Sequence, residues 1–203
     1  MNITRRMARI LRKPTDFYYE IQNSPRSLYY DIMVLIGLAI AVRIISLRYL
    51  GFSFQTKEPY EISFFIEAGT IIVLWLSWVV ANWAVSVILD GEGEFKHILV
   101  SSAFALTPFI VFTVPLTLLT NFMSLEESGF YFLCRNIIIL WVILLLLIQV
   151  KEIHDFENMK IIWIFVLTVI SMFIIWFTCF LVFGLLYQTF NFIVGIVREL
   201  NYR

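Results

Sequence analysis

Residues 90–115 read DGEGEFKHILVSSAFALTPFIVFTVP, and this stretch decides the fold. Acidic residues alternate with Gly91 and Gly93, Lys96 and His97 follow, and an apolar run then continues, interrupted only by Ser, Thr, Pro108 and Pro115. About 20 helical residues at a 1.5 Å rise cover the hydrocarbon core of a bilayer, so the run is long enough to span one. The glycine-punctuated loop before it is the polar edge of that span.

Working outward, the rest of the chain has the same character. Its 203 residues are 61% hydrophobic and only 15% charged, whereas soluble domains are about 45–50% apolar and about 25% charged. Apolar segments cover residues 30–50, 65–89, 98–121, 130–150 and 161–195. The expected fold is therefore all-α, a polytopic membrane protein with five transmembrane helices. The five-helix domain occupies residues 30–203, and residues 1–29 form a cytosolic or interfacial N-terminal segment. The last apolar segment exceeds what a bilayer needs, so it is expected to tilt, bend near Gly184 or emerge along the interface. Residues 1–29 contain no apolar signal-peptide core.

Net charge is zero and no basic stripe with interleaved aromatics is present, which excludes a nucleic-acid partner. The distribution of charge is more informative. Within NITRRMARILRK, residues 2–13, Ile3, Met7, Ile10 and Leu11 recur at helical spacing, while Arg5, Arg6, Arg9, Arg12 and Lys13 fill the other arc. This pattern is an amphipathic basic helix expected to lie on anionic lipid. Its charges either orient the protein or form a docking surface. Pro14 ends it, and a second short amphipathic segment carries Phe17, Tyr18 and Ile21. Ser24-Pro25 closes that segment, and Ser27 is a candidate cap for the first span.

Placing the N-terminus in the cytoplasm puts Arg5, Arg6, Arg9, Arg12, Lys13, Arg26, Lys96, Lys151 and Lys160 inside, against Lys57, Arg198 and Arg203 outside. The positive-inside rule thus favours a cytoplasmic N-terminus and an outer C-terminus. Arg48 and Arg135 sit at span ends, where long side chains snorkel.

Polar residues inside spans are the candidates for function. Arg43 is the one basic residue deep in a span, and Glu67 opens the second. Each is costly alone in lipid, so a pair of Arg43 with Glu67, or with Asn82, is expected, serving as an interhelical clamp or as an ion or partner site. Pro108 and Pro115 each remove a helical hydrogen bond, so the third span should be kinked or broken, either for packing or to line a site. Asp90, Gly91, Glu92, Gly93 and Glu94 lack the ligand spacing of a calcium loop, and no phosphate loop is present. His97 and His154, near Asp155 and Glu157, lack the spaced second pair of a zinc site. No cofactor is expected. No nucleophile–base arrangement, metalloprotease motif or intramembrane aspartate pair occurs, so no enzymatic activity is expected. Cys134 and Cys179 lie in apolar runs and are expected to be small buried residues, not joined in a disulfide.

Three stretches, in order, resemble the Yip1 family. They are Pro14-Thr15-Asp16-Phe17-Tyr18-Tyr19-Glu20-Ile21, then the acidic Gly-X-Gly turn with Phe95-Lys96 and Ala105-Leu106-Thr107-Pro108, then Lys151-Glu152-Ile153-His154 ahead of Lys160. The resemblance implies a five-helix membrane domain without catalytic chemistry. Eukaryotic relatives act in vesicle traffic and interact with small Rab GTPases, and they usually carry a longer cytosolic N-terminal region. The short basic N-terminus here resembles the bacterial, YesV-like branch, whose members accompany carbohydrate ABC importers. By that analogy the chain is expected to be an accessory subunit on a permease in a bacterial plasma membrane, with its six tryptophans as possible anchors. The alternatives are a trafficking or membrane-organising factor and a small channel or transporter.

Overall fold

In lipid, each backbone N–H and C=O must be satisfied within its own segment, so every apolar run becomes a helix. The computed structural model describes residues 3–22, 29–55, 59–89, 91, 93–154 and 158–201, and Asp90, Glu92, Ser24-Pro25, Ser27, Lys57, Asp155 and Glu157 lie outside them. Among the described residues there are eight α-helices: α1 (Ile3–Arg12), α2 (Pro14–Gln22), α3 (Tyr29–Arg48), α4 (Phe64–Ile88), α5 (Phe95–Ala105), α6 (Thr107–Leu119), α7 (Ser128–His154) and α8 (Asn158–Asn201). Among the described residues, five stretches are long and apolar enough to cross a membrane: Tyr29–Arg48, Phe64–Ile88, Phe95–Phe122, Leu125–His154 and Lys160–Glu199. The chain is an all-helical, multispan integral membrane protein.

The third span is broken once. α5 stops at Ala105, Leu106 turns, and Pro108 occupies the first turn of α6, where its missing N–H costs least. The carbonyl that Pro108 cannot satisfy is that of Phe104, and Thr107 Oγ1 donates to it at 2.6 Å. Pro115, by contrast, lies inside α6 without ending it. The two prolines at like spacing thus have different effects.

α8 is longer than a bilayer needs, as the apolar segment implied. It is one uninterrupted 44-residue helix, about 66 Å long, and Gly184 does not break it. A single glycine costs a helix only about 1 kcal/mol, too little to enforce a break. Its first half packs on α4 and α7, with Ile164, Phe165, Val169 and Met172 around Trp78 and Val85. Beyond Trp176 almost every side chain to Glu199 is exposed.

The N-terminal helices differ more. α1 and α2 form a hairpin inserted into one end of the bundle, against α5 and α7. Ile10, Phe17, Tyr18 and Ile21 belong to the same core as Leu35, Ala39, Ile98, Phe104, Leu145 and Ile153. The Phe17 and Phe104 rings meet edge-on with centroids 4.9 Å apart. The apolar side of α1 therefore faces protein and is not laid on lipid. Protein offers that face close packing on all sides, which a fluid monolayer does not. Ion pairs Arg6–Asp31 and Arg9–Glu20 tie the hairpin to α3 and to itself.

Candidate functional site

Two polar constellations lie at opposite ends of the bundle. The first joins the acidic glycine loop to the end of α7. The backbone N–H of Gly93 donates to His154 Nδ1 at 3.2 Å. Since an N–H can only donate, Nδ1 carries no proton, and the neutral ring donates through Nε2 to Asn82 Oδ1, 2.8 Å away. A Cβ on residue 93 would stand 2.3 Å from Nδ1, so only glycine lets the imidazole approach. Gly91 donates its N–H to Ser86 O at 2.8 Å and closes the end of α4. One turn deeper, Trp78 Nε1 donates to Gln149 Oε1 at 3.2 Å. Asn82, Gln149 and His154 are almost wholly buried. Lys96 sits in the first turn of α5, half-buried beside this loop.

The hairpin covers the same end. Gln22 Nε2 reaches Ile153 O at 3.4 Å, one residue from His154. Tyr18 is fully enclosed, its hydroxyl meets no partner among the described residues, and burial pushes its phenol above the usual range. Arg5, Arg12 and Lys13 remain exposed around this rim, while Arg6 and Arg9 are engaged in the ion pairs above.

The second constellation is at the other end. Arg43 Nε donates to Glu67 Oε2 at 3.0 Å, with Glu67 buried in the first turn of α4, where the helix N-terminus favours a negative charge. Asn82 is not the partner of Arg43; it lies four turns farther along α4, at His154. Nearby, Gly51 donates its N–H to Thr120 Oγ1 at 2.9 Å, and a Cβ there would meet the Thr120 carbonyl oxygen at 2.4 Å. Asn121 Nδ2 donates to Tyr49 O at 3.0 Å beside it.

The hydroxyls of the spans mostly serve their own helices. Ser101, Ser102, Thr107 and Thr117 each donate to a carbonyl three or four residues back. Trp75 Nε1 donates to Ser102 Oγ at 3.0 Å. Among the described residues no three His, Cys, Asp or Glu side chains come together as metal ligands. Cys134 and Cys179 are free.

The contacts missed from sequence are those of Asn82, Gln149, Trp78, Gly51 and Thr120. A buried-polar signal was present for Asn82 and Gln149, each standing alone in an apolar run, but nothing specified their partners.

No curated protein and no solved structure matches the chain. A family model described as the Yip1 domain matches residues 8–180, from within α1 to the packed half of α8. With the glycine loop, the broken third span and the α7 histidine in one bundle, the chain belongs to the Yip1 family.

Proposed function

We propose that the chain is a non-catalytic membrane-organising or trafficking factor of the Yip1 type, working through the end of the bundle that carries the hairpin. The observation that supports this is the seating of α1–α2 in the bundle core, which holds Arg5, Arg12 and Lys13 outward on a fixed frame. Among the described residues, Ser101, Ser102, Thr107 and Thr117 donate to carbonyls of their own helices, which favours packing over a polar track. The count of basic residues favours a cytoplasmic position for this end, where a peripheral protein or anionic headgroups would meet it.

A second reading, an accessory subunit on the permease of an ABC-type carbohydrate importer, draws on the exposed apolar half of α8. Affinity purification from the native membrane in mild detergent, with mass spectrometry of co-purifying proteins, tests both. A peripheral partner lost on reversing Arg5, Arg12 and Lys13 to Glu supports the first reading. A stoichiometric permease retained by that variant supports the second. A homogeneous protein without partners counts against both.

A further inference from the structure

The half of α8 beyond Trp176 has no packing partner in the bundle, and its side chains as far as Glu199 are almost all exposed. Phe180, Phe183, Leu186, Phe190 and Phe192 stand on it, each largely uncovered. The whole helix is about twice as long as the hydrocarbon core is thick, roughly 66 Å against about 30 Å. The family match stops at residue 180, so this half is an addition to the matched domain.

One side of the half differs from the rest. Gly184, Gln188, Asn191 and Gly195 follow one another at spacings of 4, 3 and 4 residues. At about 100° per residue they form one narrow stripe along the helix. The same rotation puts the stripe well away from the side of α8 where Ile161, Ile164, Phe165, Val169 and Met172 meet the bundle. A second molecule can reach it without displacing anything.

Two independent observations show that the stripe is unfinished within one chain. The carboxamides of Gln188 and Asn191 have no hydrogen-bond partner among the described residues, whereas Thr178 and Thr189 on other sides of α8 return their hydroxyls to its own carbonyls. Gly184 and Gly195 have open space where a Cβ would stand, whereas Gly51 and Gly93 are hemmed in by protein atoms. Glycine weakens a helix relative to alanine, and no contact inside this chain calls for these two. A helix approaching closely from outside accounts for both features, since small residues let the backbones meet and side-chain amides then bond across the contact.

We propose that the occupant is the same stripe on a second copy of the chain, joining two molecules as a parallel α8–α8 pair. A carboxamide both donates and accepts, so another carboxamide complements it fully. Copies inserted with one orientation are related by a two-fold axis along the membrane normal, which sets Gln188 against Gln188 and Asn191 against Asn191. The 4-3-4 spacing is that of the seam of a left-handed helix pair, where a polar residue fixes the register. The pairing leaves the basic rim of α1 free on both copies.

The test uses the full chain. With Cys134→Ser and Cys179→Ser in place, Gln188→Cys and, on the far side of α8, Ile193→Cys are each oxidised in the native membrane. The expected result is a covalent dimer of the Gln188→Cys protein and little of the Ile193→Cys protein. In mild detergent, native mass spectrometry of the wild type should give a dimer. Gln188→Leu with Asn191→Leu should weaken that dimer about tenfold, with the melting temperature of the monomer unchanged. Equal disulfide yields at the two positions overturn the proposal, as does a double-leucine variant that dimerises as tightly as the wild type. A wild-type chain that stays monomeric, alone or bound to another membrane protein through this half, overturns it too. The wild-type mass decides the matter even if a variant fails to insert.

Discussion

His154 holds two separate parts of the chain at once, accepting the Gly93 N–H on Nδ1 and donating through Nε2 to Asn82. The acidic glycine loop, the end of α4 and the end of α7 are thereby fixed to each other at the point where the hairpin docks. Gly93→Ala places a methyl group where the ring now stands. The ring must move, and both hydrogen bonds go with it, at a cost of about 2–3 kcal/mol. In a detergent melting assay Gly93→Ala and His154→Ala should each destabilise the protein, and the double variant should be clearly less than additive. Additive losses would show that the two residues act independently.

The Arg43–Glu67 pair predicts a different pattern. Arg43→Leu removes the cation from beside a buried carboxylate, which costs about 3–5 kcal/mol in a closed site and less here, because Arg43 is a third exposed. Arg43→Leu with Glu67→Leu should recover much of that loss. If the double variant melts no higher than Arg43→Leu alone, the pairing does not stabilise the fold.

At the break in the third span, Thr107 supplies the hydrogen bond to Phe104 O that Pro108 cannot. Thr107→Val should therefore cost about 1 kcal/mol in the wild-type background. In a Pro108→Ala background the restored N–H competes for the same carbonyl, so the cost should shrink. An equal cost in both backgrounds is the outcome that counts against this account.

The hairpin contrasts two neighbours. Phe17→Ala empties a site against Phe104 and should cost about 3–5 kcal/mol. Tyr18→Phe removes a buried hydroxyl with no partner among the described residues, so it should be neutral or slightly stabilising. Limited proteolysis gives a second readout, with Phe17→Ala opening the hairpin to cleavage and Tyr18→Phe leaving it closed. A Tyr18→Phe protein as weakened as Phe17→Ala would mean that the hydroxyl is bonded after all.

At the opposite end, Gly51→Ala brings a methyl group against the Thr120 carbonyl, a backbone atom that cannot swing aside as a ring can. Its destabilisation should equal or exceed that of Gly93→Ala. A Gly51→Ala protein that melts like the wild type would show that the loop after α3 relaxes away from Thr120.

The five spans were legible because lipid demands long apolar helices, and Arg43 and Glu67 stood out because charges inside spans are rare. The break at Pro108 could be read, but not the tolerance of Pro115, which depends on packing around α6. The amphipathic period of α1 was equally clear, yet Ile3, Met7, Ile10 and Leu11 show the same spacing whether they meet lipid or protein. That choice rests on α5 and α7, far away in the chain. The partners Gly93 and Asn82 of His154 are likewise separated from it by 61 and 72 residues, and no local pattern links them. The length of the last apolar segment was legible, and it forms one continuous helix through Gly184.

The docked hairpin also has a place in time. α1 and α2 are synthesised before any of the helices they rest on, and the carbonyl that Gln22 finds belongs to a residue made 131 positions later. Until α7 has entered the membrane, the seat of Ile10, Phe17 and Tyr18 is incomplete. Closure of the hairpin therefore has to follow insertion of α7, the helix it contacts most, although the hairpin itself is made first.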